Sequence, residues 1–172
     1  MTDLLLSEAA KRGYVPDVSV CATGHYAFGN RKMQGPSGFG KMQGPLLGFG
    51  KDISRPKPAM CNLNAYLLDV SDNAVVVKVG DTLDDIREGK RAGMWTIALA
   101  GTGNEMYLTE EHDGMTEEQI RRMDQEGYRK KLTAAYSSMI TESPDFIVDS
   151  IREVPNIIAV INARLKTGSR PW

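Results

Sequence analysis

The stretch that most constrains the fold is 75–95, VVVKVGDTLDDIREGKRAGMW. It belongs to an apolar run, 74–79, of mostly β-branched residues with no polar alternation before Lys78. Such a run suits a strand inside a parallel sheet, where helices cover both faces. Gly80-Asp81-Thr82 ends the strand, and a helix is expected over 84–92, closed by Gly93. Gly80 permits a sharp turn where a side chain would obstruct an approaching ligand. Asp81 then stands at the carboxyl end of the strand, and Asp85 lies about one helical turn further on. Ligands of open α/β sheets bind at that edge. Two carboxylates there suit a hard, oxygen-seeking cation such as Mg2+. The plainer reading of Asp84 and Asp85 is that they favour the positive end of the helix dipole.

GDTLDD also fits the G-D-x-x-x-D pattern that forms the fourth motif of the haloacid-dehalogenase-like hydrolases. The wider string KVGDTLDDIREGKRAGMWTIALAGTGNEMYLTEEH resembles one branch of them, the phosphonoacetaldehyde hydrolases. The segment 8–17, EAAKRGYVPD, is similar to the helix and strand entry that follow the second motif in that branch. The segment 55–60, RPKPAM, resembles its third motif, in which an arginine helps hold the phosphoryl group. Arg55 is the matching position, and a guanidinium suits bidentate contact with phosphate oxygens. Ala59 stands where the family has tryptophan, and Ser54 where it has glycine.

With 172 residues, the chain is long enough for one domain with a real core. A formal net charge of −1 gives no global pull towards nucleic acid or acidic membranes. No apolar run approaches the roughly 18–20 residues that span a bilayer, and the first residues do not read as a signal peptide. Cys21 and Cys61 read as buried thiols of a reducing compartment, so the cytoplasm is the expected location. Cys21, His25, Cys61 and His112 match no ordinary zinc spacing.

Residues 3–12 read as the end of an amphipathic helix stopped by Gly13, with a strand over 18–22. Residues 24–54 hold a near-duplicate, KMQGPSGFG and KMQGPLLGFG, whose glycines and prolines read as a flexible insert. Six basic residues against one acid over 31–57, with Phe39 and Phe49 interleaved, resemble a phosphate or nucleic-acid surface only weakly. Nucleic acid is therefore disfavoured as a partner. Met60, Leu63, Tyr66 and Leu67 are expected on the core face of a helix. A strand over 95–100 leads into GTGNEM, where Met106 replaces the third glycine of a dinucleotide fingerprint, so a loop is expected. Thr116-x-x-Gln119 reads as a capping box opening a polar helix to about Ile140. A short strand over 145–149 precedes Ser150-x-x-Glu153 and a last helix with Ile157, Ile158, Ile161 and Leu165 on one face.

The fold expected is α/β, a three- or four-strand Rossmann-like parallel sheet in a single domain over 1–172. It would be a partial haloacid-dehalogenase-like core without a cap domain. The resemblance implies a Mg2+-dependent hydrolase that splits the P–C bond of phosphonoacetaldehyde into acetaldehyde and phosphate. It implies an attacking carboxylate in a D-x-x-x-T segment and a Schiff-base lysine from a helical cap. Neither is found in these 172 residues, so no catalytic nucleophile is assigned and an upstream segment is expected to be missing. What remains is Asp81 as metal carboxylate, Asp85 in support and Arg55 as phosphate clamp, for a small phosphonate or phosphate ligand. Inactivity of the isolated chain is the corollary. A non-catalytic remnant or phosphate- or partner-binding regulator, and a generic phosphatase of the superfamily, are the alternatives. With its natural neighbour missing, the strand over 74–79 would need its edge covered, by the 18–22 strand or by a companion chain.

Overall fold

The computed structural model describes residues 10–13, 15, 17–20, 26–28, 58–106, 116–123 and 125–172. They fall into two compact units, Met1–Asn73 and Ala74–Trp172. In the first, the tail of the N-terminal helix closes at Gly13, whose N–H donates to the Ala10 carbonyl at 2.9 Å. Strands β1 (Val18–Val20) and β2 (Tyr26–Phe28) pair antiparallel, with Ser19 opposite Ala27. Helix α1 (Ala59–Leu67) packs on β1. Two expectations are corrected here. The strand expected over 18–22 is described over Val18–Val20, where it pairs with β2, inside the segment expected to be an insert, and not with the apolar strand after residue 74. A local hairpin partner closes a far shorter loop than a partner some 55 residues away, and loop closure favours the nearer one. Apart from β2, the Gly-rich insert lies outside the described residues, as do Arg55, Cys21, His25 and His112.

Helix α1 meets the expected core face only in part, with Leu63 buried as expected. Ala59, Cys61, Leu63 and Ala65 are buried, whereas Tyr66 is 48% exposed and Met60 and Leu67 are half-buried.

In the second unit the α/β expectation is met. Strands β3 (Val77–Gly80), β4 (Trp95–Leu99) and β5 (Phe146–Val148) form one parallel sheet in the order β3-β4-β5. Val79 faces Ile97, and Ala98 faces Ile147. Residues 74–76 are not strand; Asn73–Val75 forms a 3-10 turn instead, and Val75 is 55% exposed. The Trp95 indole N–H donates to the Ala74 carbonyl at 2.9 Å, which fixes that turn over the sheet. Helix α2 (Leu83–Arg91) joins β3 to β4. Helices α3 (Glu117–Met123) and α4 (Gln125–Ile140) precede β5, and α5 (Val154–Lys166) follows it.

The alternation of strand residues sorts the core into two layers. Ile86 of α2, Ala98 and Ala100, Met106, and Ala135 and Met139 of α4 pack on one face of the sheet. Trp95, Ile97 and Val148 meet Val154 and Ile161 of α5 on the other, joined by Val77 and Val79. Ile157 and Leu165 of α5 join that layer as expected, but Ile158 is 38% exposed and points away. The capping box expected at Thr116 forms, and the helix start expected at Ser150 is one as well. Gln119 N–H donates to Thr116 Oγ1 at 3.2 Å, and Thr116 N–H donates to Gln119 Oε1 at 2.8 Å. Ser150 and Glu153 make the second.

Candidate active-site edge

Lys78 and Gly80 lie on the α2 side of β3, because Val77 and Val79 are spent on the α5 side. That placement decides where Asp85 goes. A Cβ on Gly80 would lie 2.2 Å from the Asp85 Cβ and 2.4 Å from its carboxyl carbon, so only glycine lets the carboxylate fold over the strand end. Asp85 Oδ2 accepts from the Thr82 hydroxyl at 2.7 Å, from Thr82 N–H at 3.2 Å and from Asp81 N–H at 3.3 Å. Asp85 N–H donates back to Thr82 Oγ1 at 3.2 Å, completing a capping box. Asp85 Oδ1 faces Lys78 Nζ at 3.0 Å, and the same ammonium reaches Glu88 Oε2 at 3.1 Å. Asp85 is 9% exposed and Glu88 1%, and carboxylates so buried require such partners. Both oxygens of Asp85 are thus engaged by the protein itself. Its part is to hold the turn.

Asp81 is placed differently. It follows the last residue of β3, half-buried at the carboxyl edge, and Oδ2 accepts Asn104 N–H at 3.1 Å. That contact depends on Gly103, where a Cβ would come within 2.5 Å of the Asp81 Cβ and 2.6 Å of the Leu99 carbonyl. The GTGN segment after β4 is the loop expected, ending in a 3-10 turn over Asn104–Met106. Ser138 of α4 donates to Glu105 Oε2 at 3.0 Å, and Met106 is fully buried, so the loop is pinned beside Asp81. The structure brings Asp81 and Asp85 together through the Asp81 N–H. Asp84 pairs with Arg87 at 3.1 Å and takes no part.

Sequence reasoning singled out neither Lys78 nor Asn104 for this edge. At the far strand, Asp149 follows β5, and the Tyr136 hydroxyl donates to Asp149 Oδ1 at 2.7 Å. Burial, and then that bond, push the Tyr136 hydroxyl above the ordinary tyrosine range. The order Asp-Ser-x-x-Glu at 149–153 echoes Asp-Thr-x-x-Asp at 81–85, the signal that could have found it. Among the described residues, no three His, Cys, Asp or Glu side chains converge to hold a metal ion. None of the described helices is long and apolar enough to cross a membrane.

No family model matches the chain. It is 35% identical over 171 residues to a phosphonoacetaldehyde hydrolase-like protein of Syntrophobacter fumaroxidans, covering 99% of this chain and 50% of that one. A phosphonoacetaldehyde hydrolase of Nitratidesulfovibrio vulgaris is 33% identical, over 100% and 50% respectively. One from Pseudomonas putida is 40% identical over 118 residues, 68% of this chain and 40% of that protein. The crystal structure of a phosphonoacetaldehyde hydrolase-like protein from Oleispira antarctica superposes with a TM-score of 0.70 at 26% identity. That match takes in 96% of this chain and 48% of the other. The chain spans about half the length of the full-coverage relatives. Over essentially its whole length it is homologous to proteins named phosphonoacetaldehyde hydrolase, and its share of them fits a C-terminal core portion of that haloacid-dehalogenase-like fold.

Proposed function

We propose that this chain supplies the metal-carboxylate and phosphate-facing part of a phosphonoacetaldehyde-hydrolase-type site. The observation that carries the reading is Asp81. It stands at the carboxyl end of β3, its N–H tied to Asp85 and its carboxylate met by the Asn104 N–H. Mg2+ keeps several waters and takes one or two protein carboxylates beside substrate phosphate oxygens. Asp81 fits one such ligand; Asp85 fits the role of its support, because its own oxygens are turned inward. Bound there, Mg2+ would supply Lewis-acid stabilisation of charge on phosphoryl oxygens. Asn104 N–H and the backbone of the Gly80 turn hold Asp81 in place for it. Arg55, in the segment resembling the family's third motif, is the proposed phosphate contact.

The whole reaction of the relatives, cleavage of a P–C bond to acetaldehyde and phosphate, would require an attacking carboxylate and a Schiff-base lysine that these 172 residues do not offer. The open side of β3, the edge strand among the described residues, is where a companion strand would pair. The test is Mg2+ titration of the 172-residue chain and of Asp81→Asn, with acetaldehyde release from phosphonoacetaldehyde followed in parallel. The expected outcome is Mg2+ binding that Asp81→Asn abolishes, with no acetaldehyde above background. Binding unaffected by Asp81→Asn would sink the site assignment. Magnesium-dependent acetaldehyde release by this chain would sink the division of labour.

A further inference from the structure

We infer that Lys78 is a positioning residue for Asp81 that acts through Asp85; the inference rests on the reading of Asp81 as a metal carboxylate. Lys78 lies on β3, three residues ahead of Asp81. Its Nζ lies 3.0 Å from Asp85 Oδ1 and 3.1 Å from Glu88 Oε2, between two carboxylates that are almost fully buried. Asp85 Oδ2, the other oxygen of the same carboxylate, accepts the N–H groups of Asp81 and Thr82. One rigid carboxylate therefore has the lysine on one oxygen and the Asp81 peptide on the other. Rotation of that group about its Cβ–Cγ bond would release both contacts together. The plane of the Asp81 peptide sets where its side chain leaves the strand.

Two features make Lys78 the element that fixes this arrangement. Glu88 is one helical turn after Asp85 on α2, so the two acids face the strand from one side of the helix. Buried like charges repel strongly in low dielectric, and the ammonium between them cancels that repulsion. Without it, Asp85 would turn from Glu88 and away from the Gly80 turn. Glu88 in turn tethers the ammonium, so the lysine does not swing to solvent. Outer-shell partners of this kind typically change metal affinity about 10–100-fold when removed.

The test separates anchoring from metal binding. Lys78→Met is read against the parent chain as reference, and again in a Glu88→Gln background, where the cluster has the parent's net charge and no Asp85–Glu88 repulsion. Hydrogen-exchange protection of the Asp81 and Thr82 amides is measured without metal, and Mg2+ affinity is then measured by titration. The inference predicts at least about a tenfold loss of protection at those two amides and about a tenfold weaker Mg2+ affinity. The amides of β4 and β5 should keep their protection. Lys78→Arg should restore most of both losses. Adding Lys78→Met to Asp85→Asn in the same background should change neither quantity further, because the two residues act in series. If methionine prevents folding, Lys78→Gln, which still donates to Asp85, should give an intermediate loss. A folded Lys78→Met variant with reference-level protection and affinity overturns the inference. A parent chain that binds no Mg2+ while Lys78→Met still strips the two amides would overturn the metal reading and leave the anchoring in place.

Discussion

Two strand-to-helix turns of the second unit are built to one plan and left in different states. After β3 the order is Asp81, Thr82 as helix cap, and Asp85 three residues on; after β5 it is Asp149, Ser150 and Glu153. In both, the later acid accepts the N–H of the cap and of the aspartate before it. Asp85 Oδ2 does so at 3.2 and 3.3 Å, and Glu153 Oε1 at 3.0 and 3.1 Å. The differences lie around that shared frame. Asp85 is buried and ion-paired to Lys78, whereas Glu153 is exposed. Asp149 accepts the hydroxyl of Tyr136, while Asp81 meets a loop N–H. A capping box alone therefore marks no site. What distinguishes the first turn is a glycine that admits the acid, a lysine that holds it, and an aspartate carboxylate left at the sheet edge.

The largest effect should come from the residue just before each aspartate. Gly80→Ala would put a methyl group 2.2 Å from the Asp85 Cβ, within the backbone of a tight turn that has no slack. Overpacking of this kind costs about 3 kcal/mol or more when the neighbours cannot yield. At the second turn Val148 already carries a buried side chain, and Val148→Ala should cost about 2 kcal/mol through lost burial. Urea unfolding of both variants checks the order. Equal or reversed losses would mean that the two turns are equivalent after all.

The same contrast explains what could be read in the chain without coordinates. The unit around β3, α2 and β4 was legible because each local signal agreed. The apolar run, the Gly80 turn and Gly93 after the helix specify one strand–helix–strand unit, although residues 74–76 of the run form no strand. The boxes at Thr116 and Ser150 were legible for the same reason: their partners are three residues apart. The antiparallel pairing of β1 with β2 was not, since a short strand carries no mark of its partner. Nor was the exposure of Tyr66 on α1, whose neighbours Ala59, Cys61, Leu63 and Ala65 are buried. At the site, Asp81 was legible from its place after the strand. The direction in which Asp85 turns was not, because it depends on Lys78 and Glu88 closing over it. Arg55 lies outside the described residues.

A second pair of substitutions tests whether burial is what separates the two later acids. Asp85→Asn keeps an oxygen that can cap the helix but removes the charge that faces Lys78. Loss of a buried charge-assisted partner costs about 2–3 kcal/mol. Glu153→Gln keeps its cap in water and should cost about 0.5 kcal/mol, the range of exposed capping changes. Denaturation midpoints decide between them. A Glu153→Gln loss as large as that of Asp85→Asn would show that the cap, and not the lysine pairing, carries the first turn.

The smallest effect concerns Asp149 and is read by titration. Tyr136 is raised above its ordinary range first by burial and then by its hydroxyl bond to Asp149, with the Asp149 and Glu153 charges adding to it. A tyrosine whose folded pKa is raised is held neutral by the fold. Its contribution to stability is fully present below the unfolded value of about 10 and is lost as pH rises towards the folded one. Stability of the parent chain should therefore fall above about pH 10 relative to Tyr136→Phe, which has no proton to lose. Asp149→Asn should bring the Tyr136 transition down, yet leave it above the ordinary value, because burial is the larger cause. Ultraviolet absorbance against pH reports that transition directly. An unchanged Tyr136 titration in Asp149→Asn would mean that Asp149 is not committed to the tyrosine. Asp149 would then stand at the edge of the sheet as Asp81 does, and the distinction between the two turns would rest on Gly80 and Lys78 alone.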